Sequence, residues 1–143
     1  MSRSHRLPRL TPAEWPVMQA IWQSREPEIT IREVCDGLAS QAAASGESPL
    51  AYSTVKTVME RLVEKGHLAA RQRGKVGFFR ALSSPEEATH STVKDFVERT
   101  FGGMPSPLVS YLANGARLSA KDIARLEKLV SQAKGRSKTQ REK

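Results

Sequence analysis

Apolar positions recur at helical spacing through most of the chain and switch to strand-like alternation once. Trp15, Met18, Ile21 and Trp22 form the first stripe, as one face of an amphipathic helix requires. Thr11-Pro12-Ala13-Glu14 precedes it and reads as a capping box with proline at the first helical position. Thr30-Ile31-Arg32-Glu33 is a second capping box. It opens a short helix to about Gln41, with Ile31, Val34, Cys35 and Leu38 inward. Residues 42–49 are small and polar, with Gly46 and Pro49 as breakers, and read as a loop. From Tyr52 to Lys65 the apolar face is Val55, Val58, Met59, Leu62 and Val63. Gly66 stands where such a helix ends in a left-handed residue. Alternation then predicts a hairpin, with arms over 68–73 and 76–82 and Gly74-Lys75 at its tip. Phe78 and Phe79 fall on opposite faces of its second arm, so one of them should pack on the helices. Ser84-Pro85-Glu86-Glu87 starts a helix to about Phe101, stopped by Gly102-Gly103. A short helix over 105–113 follows, and Ser119-Ala120-Lys121-Asp122 caps the last.

The stretch from Leu50 to Leu82 organises the rest. Opposite the apolar face of its helix lie Ser53, Thr54, Lys56, Thr57 and Arg61, hydroxyls and cations that donate hydrogen bonds. The hairpin tip carries Arg71, Arg73 and Lys75. A donor-rich helix followed by a basic-tipped hairpin predicts a mainly α fold with a small β-hairpin wing, that is, a winged helix-turn-helix. The helix would lie in the DNA major groove and the hairpin along the backbone. Charge supports this placement. The chain of 143 residues has a net charge of +8. Residues 51–82 carry seven cations and two anions, residues 11–50 two and six, and residues 83–133 six of each. The structured excess thus falls on the helix and hairpin, as a polyanion-binding surface requires. Ser53, Thr54, Lys56 and Thr57 are the base-edge and phosphate candidates, against the alternative of a merely solvated face. Arg61, Arg71, Arg73 and Lys75 are candidates for phosphate contact. Tyr52 offers either its hydroxyl to a phosphate or its ring to packing. Arg32, at the second helix's start, either joins the phosphate set or sits in a surface ion pair.

The later helices are sparsely apolar, and about fifty residues bury such stripes poorly alone. They are expected to pack against a second copy through Val93, Phe96, Val97, Phe101, Leu108, Leu112, Ile123, Leu126, Leu129 and Val130. A homodimer would present two recognition helices to a palindromic operator. The expected organisation is a basic flexible arm over 1–9, a DNA-binding domain over 10–83, a helical dimerisation domain over 84–133 and a basic disordered tail over 134–143. The single cysteine, Cys35, excludes a disulfide framework and suits apolar packing. His5, His67 and His90 lack ligand spacing, so no metal or other cofactor is expected, and His67 reads as structural. No nucleophile, base and acid set is present, so an enzyme is not expected. No apolar run reaches the length of a membrane span, and a cytoplasmic protein is expected.

Several segments together resemble the penicillinase-repressor family (BlaI/MecI). They are Leu10-Thr11-Pro12-Ala13-Glu14 with Met18 and Ile21-Trp22, Ala51 to Val58 with Arg61 to Gly66, Gly74-Lys75, Phe79-Arg80 and Phe101-Gly102-Gly103. The resemblance implies a dimeric transcriptional repressor released when a membrane-bound sensor protease triggers cleavage before a phenylalanine near the end of the fourth helix. The matching bond is Thr100–Phe101, with threonine where the well-known members often carry asparagine. Related copper-responsive repressors end in Cys-x-Cys pairs, and residues 134–143 hold no cysteine. The reading is thus a sequence-specific repressor that occludes a palindromic operator as a homodimer. The alternatives are release by direct ligand binding and a structural module that binds nucleic acid without sequence preference.

Overall fold

The computed structural model describes residues 7–141, with side chains described through Arg136. His5 and most of the basic arm therefore lie outside the described residues. The elements are α1 (Glu14–Gln23), α2 (Ile31–Ser45), α3 (Tyr52–Lys65), β1 (Leu68–Arg73), β2 (Val76–Ala81), α4 (Pro85–Phe101), α5 (Ser106–Asn114) and α6 (Ala120–Arg141). Helices α1, α2 and α3 pack on one another and on the antiparallel hairpin β1–β2. This is a winged helix, with the hairpin as the wing.

One core serves this unit. Val17, Met18, Ile21, Val34, Leu38, Val55, Val58, Met59, Leu62, Leu68 and Phe79 are buried in it. The α3 face predicted from spacing is thus the face that packs, which leaves Ser53, Thr57 and Glu60 pointing away. Phe79 is the inward phenylalanine of the wing, and Phe78 stays half-buried outside. The hairpin does not stand alone. Ile29 and Phe79 exchange two backbone hydrogen bonds of 2.8 Å, so the segment after α1 adds a one-residue third strand. A single bridging residue has no alternation, so the sequence pattern does not mark it.

Other boundaries differ from the pattern for local reasons. Helix α2 continues four residues past Gln41 to Ser45, because Ala42, Ala43 and Ala44 are strong helix formers and Ala42 is buried. Gly46, at φ 74°, then ends it. Helix α1 starts at Glu14 with half of the expected capping box. The Glu14 carboxylate accepts from the Thr11 N–H at 2.8 Å, whereas the Thr11 hydroxyl is left without a partner. At Thr30, Ser84 and Ser119 both halves form, with Glu33, Glu87 and Asp122. Helix α6 runs past Lys134 to Arg141, where a disordered tail was expected. The stretch from Lys134 has no proline, and its lysines and arginines are compatible with helix.

Helix α4 touches the winged-helix core through Ala88 and Ser91. Beyond them it leaves the core, and α5 and α6 pack little on the rest of the chain. No helix among the described residues is long and apolar enough to cross a membrane.

Candidate nucleic-acid interface

Helix α3 ends the way its sequence dictates. Ala51 provides no side-chain cap, so the first-turn N–H groups keep the partial positive charge of the helix terminus. No acidic residue lies in that first turn. Gly66, at φ 87°, closes the other end. The exposed face is graded along its length. Tyr52, Ser53, Thr54, Lys56 and Thr57 occupy the N-terminal half, and Glu60, Arg61 and Glu64 the C-terminal half. Recognition helices present their N-terminal residues to base edges, so the donor-rich half is the one suited to that task.

The structure groups these residues with the wing. Tyr52, Lys56 and Glu60 share a cleft of about 380 Å³ with Ile31, Arg71, Gln72 and Lys75. Among the described residues Arg32, Lys56, Arg61, Arg73, Lys75 and Arg80 form no ion pair. Each is exposed. Unpaired cations keep their full charge for an incoming phosphate, which makes this face a suitable polyanion surface. Arg80 was not singled out from sequence. The signal was the alternation that turns Phe79 inward and so turns Arg80 outward.

Three side chains differ from their expected state. Arg71 is not free: its Nε and Nη2 donate to the two carboxylate oxygens of Glu28 at 2.5 and 2.6 Å, and its guanidinium lies 5.8 Å from the Phe78 ring centre. The Arg71 bond, with Arg73 and Arg80 also near, holds the Glu28 carboxyl below its usual range. Glu28 lies 43 residues away in sequence, too far for any pattern to reveal. Thr57 donates its hydroxyl to the Ser53 carbonyl at 3.0 Å, which leaves its oxygen to act as an acceptor. Arg32 makes no ion pair and lies over the Tyr52 ring at 5.7 Å, which joins the two open alternatives into one stacked pair beside the cleft.

The arrangement brings no metal-binding cluster together among the described residues. No group of three or more His, Cys, Asp or Glu comes together. His67 is fully buried and bonded through both ring nitrogens to Ser83 and the Pro8 carbonyl. Cys35 packs against the core, and burial pushes its thiol up, away from the reactive thiolate.

The expected dimerisation residues sit on α4, α5 and α6. Val93, Phe96, Ile123, Leu129 and Val130 are exposed, while Val97, Phe101, Leu108, Leu112 and Leu126 are half-buried. Thr100 is exposed in the last turn of α4, and the Phe101 ring meets Phe96 edge-on at 5.4 Å.

A family model described as penicillinase repressor matches residues 10–132. A penicillinase repressor of Bacillus licheniformis is 27% identical over 135 residues, which cover 93% of this chain and 98% of the relative. The methicillin resistance regulatory protein MecI of Staphylococcus aureus is 22% identical over 122 residues, which cover 85% of this chain and 93% of the relative. Among solved structures, the solution structure of the DNA binding domain of the repressor BlaI aligns with a TM-score of 0.45 at 25% identity, covering 57% of this chain and 89% of that one.

Proposed function

The chain belongs to the penicillinase-repressor family of DNA-binding transcriptional repressors, and from that premise we propose that it occludes a palindromic operator as a homodimer. The observation that carries this reading is the shared face of α3 and the wing. It joins base-reading side chains to exposed cations that form no ion pair among the described residues. Lys56 and the first-turn hydroxyls Ser53 and Thr54 read base edges, with Thr57 as an acceptor. Arg61, Arg73 and Lys75 hold phosphates and fix the register. Arg71 buttresses the wing through Glu28 rather than acting as a free contact.

Residues 10–83 form the DNA-binding domain and residues 84–133 the dimerisation domain. The exposed apolar side chains of α4 and α6 support that division, since such surface is costly in a monomer. Repression is steric, because a dimer on the promoter excludes polymerase. Release occurs by cleavage at Thr100–Phe101 under control of a membrane sensor protease. The two glycines after Phe101 both have positive φ, which ends the helix at that point and leaves the bond in its last turn.

Footprinting with in vitro transcription tests the steric mechanism. Protection that overlaps a promoter, with a matching fall in transcript, is expected. Protection without loss of transcript would refute occlusion. Mass spectrometry of the protein from induced cells tests release, which predicts a fragment ending at Thr100. An intact chain under full induction would refute cleavage.

A further inference from the structure

The segment from Leu7 to Thr11 is held on both sides by bonds that serve no part of the DNA-binding face. Toward α4, the Ser91 hydroxyl donates to the Leu7 carbonyl at 2.5 Å, and the Leu10 N–H donates to the Thr92 hydroxyl at 3.1 Å. The Arg9 guanidinium pairs with Asp95 at 3.2 Å. Toward the end of α3, His67 Nε2 donates to the Pro8 carbonyl at 2.8 Å and Lys65 Nζ to the Arg9 carbonyl at 3.0 Å. The Leu10 side chain is buried in the core between them. A carbonyl cannot donate, so the Pro8 contact places the proton of His67 on Nε2. The other ring nitrogen meets the Ser83 hydroxyl at 2.7 Å, just before α4 begins. The segment is thus a strap that binds the C-terminal end of the recognition helix to the first turns of α4.

We infer that this strap is a positioning device that fixes the angle between α3 and α4 and so sets the half-site spacing the dimer accepts. The inference rests on the dimeric operator reading above. Among the described residues Ala88 and Ser91 are the buried side chains of α4, a short contact about which it would swing. Apolar packing is non-directional, whereas hydrogen bonds prefer a narrow geometry. Bonds from consecutive strap residues to two helices therefore lock an angle that the apolar contact alone leaves soft. Ser91 and Thr92 are the positioning residues on α4. Lys65 and His67 are their counterparts at the end of α3.

The test uses the full chain with Ser91 and Thr92 replaced together (S91A/T92V), which removes the two strap hydrogen bonds to α4, keeps the Arg9–Asp95 pair and leaves the DNA-binding face intact. The probes are a palindrome selected by the wild-type protein from random duplexes, its single half-site, and versions with the half-sites one or two base pairs closer or farther apart. Wild type is expected to prefer the selected spacing. The double variant should keep half-site affinity within about twofold and lose about tenfold of the spacing preference, as two hydrogen bonds warrant. An unchanged spacing preference would overturn the inference. Should the double variant fail to fold, Arg9→Gln, which breaks the pair with Asp95 and leaves the Arg99–Asp95 pair of α4 in place, is expected to flatten the preference in the same direction, and its failure to do so would be equally decisive. If wild type binds the palindrome no better than the half-site, the dimeric reading itself fails and takes the inference with it. A preserved wild-type preference with an unaltered variant sinks the strap alone.

Discussion

Lys56 and Arg73 are both exposed and form no ion pair among the described residues, yet the proposed interface gives them different work. Lys56 projects from the N-terminal half of α3, and Arg73 stands beside the tip of the wing. Lys56→Ala is therefore expected to cost the operator complex about 1–3 kcal/mol and random duplex less. Arg73→Ala should weaken both alike and lower the salt slope by about 0.9. Equal losses on operator and random DNA for Lys56→Ala in a titration would contradict base reading by α3. A second prediction concerns Glu14, which is fully buried and bonded to Lys65 Nζ at 2.6 Å. Burial pushes its carboxyl up, but the Lys65 ammonium and the Thr11 N–H more than offset this and hold it below its ordinary 4.5. A carboxyl depressed in the folded state stabilises fully above its unfolded pKa, and that stability is lost as pH falls through the folded value. Glu14→Gln should cost about 2 kcal/mol at pH 7 in urea unfolding, with the difference from wild type shrinking below pH 4.5. At this scale the identities of the residues on the exposed face of α3 were legible, because its apolar stripe dictates what faces away. The partners of Arg71, Thr57 and Lys65 were not, since long-range pairing leaves no periodic trace.

The elements follow from start and stop signals more than from propensity. Three capping boxes form in full, and Gly66 ends α3 with a positive φ of 87°. Gly66→Ala places a Cβ in left-handed backbone and should cost about 1–2 kcal/mol by thermal or urea unfolding. A neutral result would mean that the α3 terminus relaxes freely. Phe79 joins the wing to the core and bridges to Ile29, so Phe79→Ala should cost about 3–5 kcal/mol. Phe78→Ala, half outside the core, should cost much less. The α3 helix, the wing register and α4 were readable because caps, stripe and turn agree in each. The end of α2 was missed where alanines outweighed the polar appearance of the segment. The Ile29 bridge was missed because tertiary context alone creates it.

At the scale of the whole molecule, the winged helix is a packed unit and the C-terminal helices leave apolar surface uncovered. Phe96 is 48% exposed and Val130 45%. Dimerisation through this surface predicts that Phe96→Asp with Val130→Asp sediments as a monomer at micromolar concentration yet still binds a half-site. A wild-type chain that is itself monomeric there would contradict the dimer. The sparse stripes of residues 84–133 were legible as such, whereas the strap of residues 7–11 was invisible, because most of its bonds run through backbone groups that any sequence supplies. Residues 7–9, expected to belong to a flexible arm, are held between α3 and α4 instead. The central claim, that the α3 and wing face reads a particular DNA sequence, is tested most directly by one measurement. Binding of the full chain to the palindromic segments upstream of its own gene is compared with scrambled duplex across a salt series. The account predicts a preference for the palindrome that persists at moderate salt while both affinities fall. Equal binding to both duplexes that collapses together with salt would mean phosphate contact alone, and would contradict it.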